Sequence, residues 1–91
     1  MLELLTRSKI RSKLILLFIG HQDQEYYLSE IANLVNTSAG TTQRELNKLR
    51  QFDLISFNKR VGLNFYSLNK RYPLLTEVES IIRKTLGTED K

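Results

Sequence analysis

Apolar positions along the first half of the chain recur at helical spacing. Ile10, Leu14, Leu17 and Phe18 stand at i, i+4, i+7 and i+8, one stripe of an amphipathic helix, with Ser8 placed to cap its start and Gly20 to stop it. Tyr26-Tyr27-Leu28 reads as a short extended piece, with both tyrosines expected in the core or a strand. Ser29 is then placed to cap a second helix of about two turns that buries Ile31, Ala32, Leu34 and Val35. Asn36-Thr37-Ser38 interrupts the pattern, because Asn tolerates the left-handed conformation that ends a helix and the Ser38 hydroxyl accepts the first N–H groups of the next. In the third helix Ala39, Thr42, Leu46 and Leu49 share one face; Thr41, Arg44 and Lys48 lie opposite, flanked by Gly40, Asn47 and Gln51.

The period then changes. Ile55-Ser56-Phe57-Asn58 alternates apolar and polar, and Phe65-Tyr66-Ser67-Leu68 is a second β-prone run. Between them lies Arg60-Val61-Gly62-Leu63-Asn64, with Gly62 and Asn64 as turn formers, which predicts a hairpin. After Tyr72-Pro73, helical spacing returns with Leu74, Val78, Ile81, Ile82 and Leu86, before a short polar tail. No repeat or linker breaks the 91 residues, so residues 1–91 are expected to form a single domain.

Charge sharpens this picture by its distribution more than by its total of +4. Residues 21–37 carry Asp23, Glu25 and Glu30 and no lysine or arginine, whereas residues 38–60 carry Arg44, Lys48, Arg50, Lys59 and Arg60 against Glu45 and Asp53. The basic excess thus falls on the third helix and the hairpin, where it favours a polyanionic partner.

Tyr27-Leu28-Ser29-Glu30-Ile31-Ala32, the run from Ser38 to Leu49, Phe65-Tyr66-Ser67-Leu68-Asn69 and Tyr72-Pro73-Leu74 together resemble the ArsR-like and MarR-like transcription regulators, over about Ser8 to Leu86. The resemblance implies an α+β, mainly α, winged helix-turn-helix: a three-helix core, a two-stranded wing and an additional C-terminal helix at about 74–86. The chain departs from the group's pattern at Thr37, at Thr42, and at Phe52-Asp53, where the group has Ala-Gly. It also lacks the cysteine-containing metal box of the arsenic-responsive members, having no cysteine and only His21, itself expected to be a surface residue capping the first helix.

The function so implied is sequence-specific binding of double-stranded DNA by a transcription regulator. A recognition helix at about 38–52 would enter the major groove and a wing at about 54–69 would rest on the flanking backbone. Thr41, Gln43, Arg44, Asn47 and Lys48 are expected to face the groove, with Arg44 suited to guanine and Gln43 or Asn47 to adenine. Ser38 and Gly40 would offer backbone N–H groups to phosphate, while Lys59 and Arg60 would bind backbone or minor groove from the wing. Val61 and Leu63 at its tip would touch sugar edges or a partner subunit. The apolar last helix is expected to pair with the first helix of a second copy in a homodimer.

No catalytic constellation, cofactor motif or metal ligand set is present, so no enzymatic activity, cofactor or metal is expected. The apolar run Leu14–Ile19 is too short for a membrane span and lacks a signal cleavage site. The cytoplasm is therefore the expected compartment, without a membrane partner, and the Asn36-Thr37-Ser38 sequon is expected to be unused. The alternative is a protein-interaction winged-helix module that works with a partner such as a nucleotidyltransferase-like protein. A small-molecule effector is not identified by the sequence.

Overall fold

A computed structural model describes residues 8–87. It contains α1 (Lys9–Gly20), β1 (Tyr26–Tyr27), α2 (Leu28–Leu34), α3 (Ala39–Gln51), β2 (Ile55–Arg60), β3 (Leu63–Leu68) and α4 (Leu75–Gly87). The three strands form one antiparallel sheet in the order β1-β3-β2. The hairpin runs in register from Ile55 opposite Leu68 to Arg60 opposite Leu63, and β1 adds Tyr26 opposite Tyr66 and Tyr27 opposite Phe65. The expected order of elements is present, and β1 enlarges the two-stranded wing to a three-stranded sheet.

Helix α1 is the hub. Ser8 caps it as expected, accepting the Arg11 N–H at 3.3 Å. Leu14, Ile15 and Phe18 are fully buried where α3, α4 and β3 pack on the helix, so it is covered on more sides than its four-residue stripe suggested. Leu46 and Leu49 from α3, Ile31 from α2, Tyr66 from β3 and Val78 and Ile82 from α4 complete the core. Tyr26 meets Phe18 and His21 edge-on at 5.9 and 6.5 Å, so the first tyrosine is a core-edge residue and His21 an exposed cap.

Helix α2 starts earlier than its expected Ser29 cap. Tyr27 ends β1 in extended conformation, and its N–H donates to the Glu30 carboxylate at 3.1 Å, so strand passes straight into helix. Leu34, expected inside, is 58% exposed, because α2 is only seven residues long and Ile31 and Ala32 occupy its inward face. The turn that follows behaves as the sequence predicts. Asn36 is left-handed at φ 58°, Asn36 N–H donates to Asn33 O at 3.2 Å, and Thr37 N–H donates to Ala32 O at 3.0 Å.

The same closure ends α3 with a less suitable residue. Asp53 takes φ 63°, Asp53 N–H donates to Arg50 O at 3.0 Å, and Leu54 N–H donates to Leu49 O at 3.1 Å. Asp53 is the position at which the resembled group has glycine, and the backbone still adopts glycine's conformation. In the hairpin the turn is two residues, Val61 (φ 52°) and Gly62 (φ 76°), while Asn64, expected in the turn, pairs with Lys59 inside the ladder. Two successive positive φ values match the right-handed strand twist, which is why the shorter turn forms. At the C-terminus Pro73 and Leu74 precede α4; Leu74 is 38% exposed, and the Leu86 side chain lies outside the described residues.

Candidate nucleic-acid interface

Ser38 sets the start of α3. Its hydroxyl accepts the Thr41 N–H at 3.1 Å, and its carbonyl accepts the buried Thr42 hydroxyl at 2.8 Å. Thr42, Leu46 and Leu49 then bury one face as expected, whereas Ala39 is exposed and Glu45 takes a place on the buried side. At 100° per residue the side facing away from these four carries Gly40, Arg44, Asn47 and Gln51 in one exposed line. Gln43 and Arg50 border that line toward one flank. Thr41 and Lys48 border it on the other, half-buried.

Glu45 was not legible as a structural residue from sequence. Its Oε1 accepts from Arg11 Nε of α1 at 2.8 Å, and its Oε2 lies 3.8 Å from Lys48 Nζ. A single carboxylate therefore ties α3 to α1 and holds the Lys48 amine at the near edge of the exposed line. The only sequence signal was an acid on the apolar side of an otherwise basic helix.

On the hairpin, strand alternation separates the two expected cations. Ile55, Phe57 and Lys59 project to the side where buried Ile55 meets the core, whereas Arg60 projects to the other. Arg60 is already engaged there: its guanidinium donates to Glu25 Oε1 at 2.6 Å and sits 4.4 Å from the Phe65 ring centre. Tyr27 meets the same ring edge-on at 6.2 Å. The acidic segment thus folds back on the basic one, and Lys70 likewise pairs with Asp23, which holds the Asp23 carboxyl below its ordinary range. Lys59 is exposed and forms no ion pair among the described residues. Val61 at the tip is 98% exposed, and Leu63 46%.

Arg50, absent from the expected site, stacks at 4.3 Å over Phe57, which meets buried Tyr66 edge-on at 5.3 Å. Burial raises the Tyr66 hydroxyl above the usual tyrosine range, and the Arg50 charge opposes that shift. With α3 and the hairpin so joined, the arrangement is a projecting basic helix beside a β-ribbon.

This is a winged helix-turn-helix. Solved structures of transcriptional repressors share it. The antimony-specific repressor AntR matches at TM-score 0.75 and 12% identity, over 99% of this chain and 78% of that one. The adhesin competence repressor of Streptococcus pyogenes matches at TM-score 0.66 and 14% identity, over 91% and 63%. PagR of Bacillus anthracis matches at TM-score 0.66 and 20% identity, over 92% and 87%. The chain thus spans less than two thirds of the Streptococcus protein. At these identities the likeness is one of fold. No protein-family profile and no curated protein sequence matches the chain. Among the described residues no helix is long and apolar enough to cross a membrane.

Proposed function

We propose that residues 1–91 act as one DNA-binding transcription regulator that reads double-stranded DNA by sequence, with α3 in the major groove and the β2–β3 wing on the flanking backbone. One observation carries this reading. Arg44 and Asn47 stand exposed on α3 between Gly40 and Gln51, and none of their side chains makes a hydrogen bond or ion pair among the described residues. A helix of 13 residues, about 20 Å long, fits a groove about 12 Å wide and brings such side chains to base edges. Gly40 supports the approach, since a Cβ built there meets nothing within 4 Å and its bareness serves no packing inside the chain.

Arg44 is the guanine reader in this proposal, Gln43 and Asn47 serve adenine, and Thr41, Lys48, Lys59 and the α3 N-terminus at Ser38 position the helix on the backbone. Arg60 contributes only when it leaves Glu25. Sites selected from random duplex DNA test the reading: Arg44→Ala is expected to weaken binding to the selected site far more than to random DNA, and equal losses would refute sequence readout.

The proposed assembly is a homodimer through α1 and α4. Val78 and Ile82 are spent on the subunit's own core and Leu75 packs against it, which leaves Leu74, exposed just before α4, as apolar surface for a second copy. Light scattering at high micromolar concentration is expected to give twice the chain mass, and a single-chain mass would refute the dimer.

A further inference from the structure

We propose that Arg50 and Lys59 form a phosphodiester clamp at the junction of α3 and the wing, with Phe57 as the platform that positions Arg50. The proposal rests on the DNA-binding reading and adds to it Arg50, a cation outside the exposed line of α3, paired with Lys59 of the wing. Arg50 belongs to the last turn of α3, past the residues that would reach base edges, and Lys59 to the strand that returns beside that turn.

Three observations converge. The Arg50 guanidinium lies 4.3 Å from the Phe57 ring centre, and Phe57 is in turn braced edge-on by Tyr66, which is only 1% exposed. The cation is therefore stacked on a platform anchored in the core. A ring face takes up none of a guanidinium's in-plane N–H groups, and the Arg50 side chain makes no hydrogen bond among the described residues, so the fork that matches two oxygens of a phosphate stays available. Holding the side chain in place beforehand also removes part of the ordering cost of binding.

Strand alternation supplies the second cation. Phe57 and Lys59 are two residues apart on β2 and project to the same side, so Lys59 stands on the side where Arg50 is stacked, while Arg60 turns away to Glu25. Arg50 and Lys59 are both exposed, and neither forms an ion pair among the described residues. The third observation is a shallow, open depression lined by Asn47, Arg50 and Gln51. Gln51 beside the Arg50 guanidinium adds a second donor group suited to the oxygens of a sugar–phosphate backbone, next to the base-reading Asn47, and no carboxylate lines this spot among the described residues. Such a contact sets register on the duplex and carries no sequence preference.

The test uses the full chain, a selected duplex and a random-sequence duplex in fluorescence anisotropy across a salt series, with thermal melts of every variant. Arg50→Ala and Lys59→Ala are each expected to weaken both duplexes by the same factor and to leave their ratio unchanged. Losing one phosphate contact lowers the salt exponent by about 0.9, so the gap from wild type should narrow about 3.5-fold between roughly 50 and 200 mM salt. Arg50→Gln keeps the stem, guards against a folding defect, and is expected to show the same pattern. Phe57→Leu is expected to weaken binding in the wild-type background and to have no further effect beside Arg50→Ala. A well-folded Arg50→Ala or Arg50→Gln that binds both duplexes within twofold of wild type, with the same salt exponent, overturns the clamp while leaving the DNA-binding reading intact. An additive Phe57→Leu loss overturns the platform. A wild-type chain with no salt-sensitive affinity for either duplex overturns the parent reading and the clamp with it.

Discussion

Arg11 of α1 donates from Nε to Oε1 of Glu45 on α3 at 2.8 Å, and the two side chains are only 10% and 8% exposed. The exposed helix of the proposed interface is thus fastened to the hub helix by an ion pair set largely inside the protein. Removing Glu45 takes this carboxylate from a guanidinium that water solvates poorly, and takes from Lys48 a carboxylate oxygen 3.8 Å away. Glu45→Ala is expected to destabilise the domain by about 3 kcal/mol, measured by urea unfolding. Joint replacement, Arg11→Met with Glu45→Leu, is expected to restore most of that stability, since neither charge then remains to be solvated. A double variant as unstable as the single one would refute this account.

Gly40 should separate stability from binding. Alanine there meets no neighbouring atom and favours helix, so Gly40→Ala is expected to stabilise the domain by about 0.5–1 kcal/mol in thermal or urea unfolding. The same methyl group would stand between the start of α3 and a duplex. DNA affinity measured by anisotropy is expected to fall as stability rises, and affinity that stays level would mean that no backbone approaches Gly40.

The pairing of Arg60 with Glu25 makes a prediction against the sequence-based expectation. With its guanidinium held at 2.6 Å by a carboxylate and stacked on Phe65, Arg60 should contribute less to DNA binding than Lys59. Arg60→Ala is expected to cost less than twofold in affinity at a salt concentration where Lys59→Ala costs more. Glu25→Gln is expected to tighten binding and steepen its salt dependence, because it releases a cation to compete for phosphate. Being half-exposed, the pair should contribute under about 1 kcal/mol to stability, so none of these variants should melt far from wild type.

Asp53 holds a left-handed backbone at φ 63° to close α3, a conformation that costs a residue bearing a Cβ about 1–2 kcal/mol. Asp53→Gly is expected to stabilise the domain by about 1 kcal/mol, raising the melting temperature by about 4–8 °C for a domain of this size. A lower melting temperature would show that the Asp53 side chain contributes more than the strain costs.

Periodicity alone determined much of this protein: the order of helices and strands, the Ser8 and Ser38 caps, the left-handed Asn36 turn and the outward placement of Arg44 and Asn47. These follow from local rules, in which a cap hydroxyl, an apolar stripe or a turn residue acts on neighbours a few positions away. What tertiary structure decided involves partners far apart in sequence. Arg11 reaches Glu45 across 34 positions and Arg60 reaches Glu25 across 35. The addition of β1 to the wing, the burial of α1 on several sides, the exposure of Leu34 and the stacking of Arg50 on Phe57 likewise appear only once α1, α3 and the sheet are packed together. A charge pattern along the chain shows which residues are basic; only packing shows which of them the protein has already neutralised.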